Sequence, residues 1–196
     1  MNTAKGKATK ARILEAAADL LVAGGAERLN LDEVMRATKT SKGQLFYYFP
    51  GGKDEVRRAA TERQVQRLVE LAAQVELATW EDWENWFGQI IRRHEQQSQV
   101  DACEVAALAG RAIDTDQQAR AVIGQAFAHW DQRLRDQLRA MQRSGLIKAD
   151  TPVEQLSSLM LAALEGGAVI DKATGSTQHL RHALDQALVL LRSYAA

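Results

Sequence analysis

Cysteine, proline and net charge are the scarce quantities in this chain of 196 residues. The single cysteine, Cys103, cannot form an internal disulfide, and a reducing, cytoplasmic setting is expected. Only two prolines occur, Pro50 and Pro152, so most of the chain is free of the strongest helix breaker. Twenty-five basic residues balance 25 acidic ones, and the formal net charge is zero. That argues against a protein that coats nucleic acid by bulk charge, and leaves a local basic patch as the feature to seek. No unbroken run of about 18 apolar residues occurs, so no membrane span is expected. Met1 to Arg12 is basic but lacks the apolar stretch of a secretory signal.

What is present is helix-forming. Apolar residues make up 46% and charged residues 26%, the balance of a folded globular chain. Ala, Leu, Gln, Arg and Glu dominate, and their propensities predict an all-α protein of about nine helices. A basic arm with Lys5, Lys7, Lys10 and Arg12 leads into a helix from about Thr9 to Ala23, ended by Gly24-Gly25. Asn30-Leu31-Asp32-Glu33 and Ser41-Lys42-Gly43-Gln44 each read as a capping box opening a short helix. Phe49-Pro50-Gly51-Gly52 breaks the chain again. Longer helices are expected at about Lys53–Leu77, Thr79–Gln97, Asp114–Arg143, Pro152–Ala168 and Thr177–Tyr194, with a short one at about Glu104–Ile113. Thr151-Pro152 reads as an N-cap followed by proline at the first helical position. The expected division is 1–53 for a small head, packed on the start of the fourth helix, and 54–196 for a larger body.

Two short helices joined by a tight turn make a helix-turn-helix, whose second helix lies in the DNA major groove. The first turn of that helix, Thr40-Ser41-Lys42-Gly43-Gln44, suits the task. Gln44 can pair with an adenine edge and Lys42 with guanine. Gly43 lets the backbone approach closely, while Tyr47 and Tyr48 offer hydroxyls to phosphates and rings to the groove wall. The blander alternative is a short aromatic helix that merely plugs a core. The spacing of both capping boxes beside a basic arm favours DNA.

These residues carry a resemblance. Ser41-Lys42-Gly43-Gln44-Leu45-Phe46-Tyr47-Tyr48-Phe49-Pro50, followed by Lys53, resembles the signature of the TetR (tetracycline repressor) family of transcriptional regulators. Phe49-Pro50-Gly51-Gly52-Lys53 is similar to the LmrA/YxaF-like branch, and Ala102–Ala109 looks like that branch's Gly-Cys-Pro segment with Ala102 and Glu104 in place of glycine and proline. The usual Ala-Gly-Val turn reads Thr38-Lys39-Thr40, so Lys39 stands where glycine ordinarily takes a left-handed conformation. Lys39 is read as an added phosphate contact. Phe46 replaces a usual tyrosine and is expected in the core with Leu45 and Phe49. Asn30, Tyr48 and Lys53 are expected on phosphates, beside Thr40 and Ser41.

The resemblance also implies a body that binds a ligand and dimerises. Trp80, Trp83 and Trp86, three of the four tryptophans, fall within seven residues. One helix cannot turn all of them into one core. Ordinary aromatic packing is one reading. The other is that Trp83, Trp86, Phe87, Cys103, Phe127, Trp130 and Met160 line a cavity for a flat or greasy effector. Cys103 reads first as a small buried hydrophobe, and the histidines His94, His129, His179 and His182 complete no metal set. The apolar stripes of the last two helices suit a four-helix homodimer interface, as the resemblance implies, or closure of the monomer's own core.

The expectation is a homodimeric regulator, most often a repressor, that holds a palindromic operator and is released by a small apolar or aromatic effector. A regulator without a small-molecule ligand, controlled by a protein partner, is the alternative. No nucleophile–base pair, carboxylate dyad, metal set or phosphate loop supports an enzyme, and no cofactor is expected.

Overall fold

The computed structural model describes residues 4–24, 29–96 and 117–196. Among them are eight helices: α1 Ala4–Gly24, α2 Leu31–Thr38, α3 Lys42–Tyr48, α4 Gly52–Ala73, α5 Trp80–Gln96, α6 Gln117–Arg143, α7 Val153–Thr174 and α8 Gln178–Arg192. The all-α expectation is met. The short helix expected at 104–113 lies outside the described residues, as does Cys103. Outside the helices, one isolated antiparallel bridge joins Ile147 to Ala195.

The chain divides into two compact units. The described residues of the first are α1 to α3, α4 as far as Leu68, and α6 as far as Ile123. The second holds the end of α4, α5, α6 from Gly124, α7 and α8.

In the first unit, α1 begins at Ala4, not near Thr9. Alanines and lysines are strong helix formers and no proline intervenes, so the basic arm is itself helical. Thr9 Oγ1 donates back to the Lys5 carbonyl at 3.0 Å, as a helical threonine does. Ile13, Ala17, Ala18 and Leu21 of α1 are buried with Leu29, Val34, Leu45, Phe49, Val56 and Ala60. Short α2 and α3 gain their stability from that shared core rather than from length.

In the second unit, Trp83, Phe87 and Ile91 of α5 pack with Leu134, Leu138 and Met141 of α6, Leu156 and Met160 of α7, and Leu180, Leu184 and Leu191 of α8. Gln137 Oε1 accepts from the Leu77 backbone N–H at 2.8 Å, and Arg133 donates to the Val75 carbonyl at 2.7 Å. The segment leading to α5 is thereby pinned to α6. A capping box at Thr79 and Asp82 then starts α5: the Thr79 N–H reaches Asp82 Oδ2 at 2.8 Å, and the Asp82 N–H reaches Thr79 Oγ1 at 3.2 Å.

Two local expectations are corrected. Thr151 does not cap α7, because its hydroxyl donates backwards to the Lys148 carbonyl at 2.6 Å and Pro152 takes the cap position. Helix α7 also does not end near Ala168 but runs to Thr174. Gly167 is a contact point: a Cβ there would lie 2.7 Å from Leu180 Cα, so its bare backbone lets α7 and α8 approach. By length and composition α7 could cross a membrane, although no unbroken apolar run marks it. It buries Leu156, Met160 and Ala168, and pairs Asp171 with His94 of α5 at 2.8 Å, as a core helix does.

Candidate nucleic-acid interface

Helix α2 opens on Asn30, whose Oδ1 accepts from the Asp32 N–H at 2.9 Å. It closes on Lys39, which has φ 52 and ψ 40. The Lys39 N–H reaches the Arg36 carbonyl at 3.4 Å, and the Thr40 N–H reaches the Met35 carbonyl at 3.1 Å. This pair of bonds is a Schellman ending with lysine in the left-handed position that glycine usually takes. Helix α3 follows at once. Ser41 and Gln44 form the expected capping box, with the Gln44 N–H on Ser41 Oγ at 3.2 Å and the Ser41 N–H on Gln44 Oε1 at 3.0 Å.

The seven residues of α3 divide by helical angle. Leu45 is fully buried and Phe49, one turn on, is 1% exposed. Lys42, Gly43, Gln44 and Tyr47 face solvent, with Tyr47 75% exposed. Tyr48 is half-buried and meets the Tyr47 ring edge-on at 5.0 Å. Asn30, Lys39, Ser41 and Lys53 are also exposed. The unit thus presents amide, hydroxyl, ammonium and aromatic groups around one short helix whose other side is locked in the core.

Two candidates are placed differently. Thr40 is only 7% exposed, and its hydroxyl lies 2.7 Å from that of Thr38, so its side chain is held inside rather than offered to DNA. Phe46 is not a core residue but is 39% exposed, because it sits a helical step from the buried Leu45–Phe49 side. Its ring lies over the turn before α4. Gly52 there has φ +64, and a Cβ would sit 3.3 Å from Phe46 Cε1. The signal that α4 begins with glycine in a special conformation was in Gly51-Gly52, but not which aromatic it serves. Lys10, which the sequence places in the basic arm, has its ammonium 5.3 Å from the centroid of the Phe49 ring, a contact that spacing did not indicate.

Sequence reasoning missed the acidic side of α1 as well. Glu15 pairs with Arg63 at 2.5 Å and also with Arg67, which reaches Asp19 at 2.7 Å. These bonds tie α1 to α4. The Arg63 hydrogen bond holds the Glu15 carboxyl below its ordinary value, burial opposes it, and Arg67 adds to the lowering.

The body candidates separate into two groups. Trp83, Phe87 and Met160 are buried in the second core, and the Trp83 indole N–H faces Met141 Sδ at 3.1 Å. Trp86, Phe127 and Trp130 are half-buried. Trp86 of α5 stacks on Trp130 of α6 with centroids 6.3 Å apart and planes 23° from parallel.

The family model for bacterial regulatory proteins of the TetR family matches residues 13–60. The model for the C-terminal domain of LmrA/YxaF-like transcriptional regulators matches residues 80–186, more than half of the chain. This chain belongs to the TetR family. It is therefore a DNA-binding transcriptional regulator and not an enzyme, and its helix-turn-helix is the family's DNA-binding element. An HTH-type regulator from Bacillus subtilis, YxaF, is 22% identical over 187 residues, covering 94% of this chain and 95% of that protein. The fold is shared with a TetR-family regulator from Cytophaga hutchinsonii, with TM-score 0.80, 19% identity and coverage of 100% and 99% of the two chains. A TetR regulator from Chloroflexus aurantiacus follows at TM-score 0.79, with 20% identity and 98% of each chain covered. The resemblance expected from Ser41–Pro50, and the LmrA/YxaF-like branch expected from Phe49–Lys53, are both borne out.

Proposed function

We propose that this TetR-family regulator is a homodimeric repressor that grips a palindromic operator and releases it when a small apolar or aromatic effector enters the body. The observation that carries the DNA side is the division of α3: Leu45 and Phe49 anchor it, and Lys42, Gly43, Gln44 and Tyr47 are left outward. In this reading those four meet base edges, and Asn30, Ser41, Tyr48 and Lys53 meet phosphates. Gln44 carries a condition. Its amide oxygen already accepts from the Ser41 N–H in the capping box, so two-point pairing with adenine uses that oxygen's second lone pair, whereas donation from its amide nitrogen leaves the box untouched.

Dimerisation is supported by apolar side chains left outward on the last two helices: Leu159, Val169 and Ile170 on α7, and Val189 and Leu190 on α8. Effector contact is best supported at Trp86, Phe127 and Trp130, which are half-buried, while Trp83, Phe87 and Met160 already serve a core. That burial favours a second reading, a regulator governed by a protein partner, in which the aromatic cluster is structural. In the ligand-controlled reading an effector acts only through different affinities for the DNA-competent and DNA-incompetent states, with α4 as the continuous helix between head and body residues.

Selection of bound sites from random duplexes, followed by a screen of aromatic compounds for release, tests the proposal. A palindromic site and at least one releasing compound are expected. Failure to enrich a palindrome counts against the dimeric reading; a palindrome that no compound releases favours the partner-controlled one.

A further inference from the structure

Among the described residues, Lys39 is the one non-glycine residue with positive φ. A side chain in that left-handed conformation strains the backbone, and glycine would occupy it freely. Such strain persists where the surroundings over-determine it, and it concentrates at functional positions. Here the surroundings are visible. The Thr38 hydroxyl donates to the Val34 carbonyl at 2.7 Å, which uses its one proton. The 2.7 Å contact between the two threonine hydroxyls is then a bond donated by Thr40 to Thr38. Both threonines are buried, one on each side of an exposed lysine. Among the described residues Lys39 makes no ion pair, and only the buried Thr40 separates it from the exposed turn Ser41–Gln44.

We propose that Thr38-Lys39-Thr40 is a phosphate clamp: paired buried hydroxyls hold the turn so that the Lys39 ammonium meets the DNA sugar–phosphate backbone beside the base-facing turn of α3. The clamp rests on the DNA-binding reading of that helix, and it adds a contact that raises affinity for every sequence without choosing among them. Burial of Thr40 gives that residue a positioning role in place of a contact.

Lys39→Gly separates the clamp from the fold. The melting temperature is expected at or above that of the parent, because the strain is relieved. Affinity for operator and random duplex alike falls about tenfold at low salt, as loss of a charge-assisted contact implies. The plot of log affinity against log salt becomes shallower by about 0.9 for each head engaged. Lys39→Asn, which tolerates the left-handed conformation without charge, behaves like the glycine variant, and Lys39→Arg behaves like the parent. Parental affinity and slope in Lys39→Gly, with Lys53→Ala weakened, overturn the clamp and leave the DNA reading standing. A fall in melting temperature in both Lys39→Gly and Lys39→Asn also overturns it, since the lysine then supports the fold. Absence of parental binding to any duplex at low salt overturns the DNA reading itself.

Discussion

Gly43 touches almost nothing of its own chain. A Cβ built on it has Ser41 Oγ as its nearest neighbour at 4.0 Å, and it lies inside a helix, where glycine costs about 0.5–1 kcal/mol relative to alanine. Internal packing therefore supplies no reason for glycine, whereas the close approach of DNA proposed for α3 would supply one. Gly43→Ala is expected to raise stability by about that amount and to lower operator affinity, read by thermal melting and by fluorescence anisotropy with labelled duplex. A stabilised variant with undiminished affinity would remove Gly43 from the interface. Residue identity alone marked Lys42, Gly43, Gln44 and Tyr47 as outward-facing, because helical angle and polarity agreed there. It misplaced Phe46 and Thr40, whose surroundings depend on which neighbours close over them. An exposed aromatic over Gly52 and a threonine pair inside a turn cannot be read from one-dimensional spacing.

Between elements, two contacts carry separate predictions. The first is the tie between α1 and α4. The Glu15 carboxyl is held below its ordinary value of 4.5, chiefly by Arg63. A depressed carboxyl adds stability that is present above the ordinary value and fades as pH falls through the lower folded-state value. Glu15→Gln should accordingly be less stable than the parent at neutral pH, and the two should converge as the solution becomes more acid than 4.5. A constant gap in melting temperature across that range would contradict the role given to Glu15. The second contact is the crossing of α7 and α8. Gly167→Ala places a Cβ 2.7 Å from Leu180 Cα and 2.8 Å from Leu180 Cδ1. Backbone cannot yield as a side chain can, and such overpacking costs about 1–3 kcal/mol. Denaturant unfolding should show that loss; an unchanged midpoint would mean that the helices move apart freely. Helix existence was legible from periodicity, whereas this crossing was not. The sequence placed the end of this helix near Ala168, just after Gly166-Gly167, and only the neighbour on α8 reveals the use of Gly167.

At the scale of the whole molecule, the proposed dimer makes a demand on α7 and α8. Val189 is 58% exposed and Ile170 41% exposed, and with Leu159, Val169 and Leu190 they are the outward apolar side chains on α7 and α8 that the proposed partner would cover. Ile170→Glu combined with Val189→Glu should leave helicity intact and yield a monomer in light scattering. Loss of the second head should weaken operator binding by about a hundredfold or more. A double variant that remains dimeric would move the interface elsewhere.

Composition, capping boxes and the run Ser41–Pro50 were enough to determine an all-α chain, a helix-turn-helix and membership of its family, because those features rest on local propensity, hydrogen-bonding residues at set offsets and helical angle. Tertiary structure alone decided the rest. It placed Trp83, Phe87 and Met160 in a core, bound α1 to α4 through Glu15 and α5 to α7 through His94–Asp171, and turned Lys39 into a strained, exposed cation between two buried hydroxyls. Each of these depends on residues brought together from distant positions or on a backbone conformation that neighbours impose, and neither is a property of local spacing.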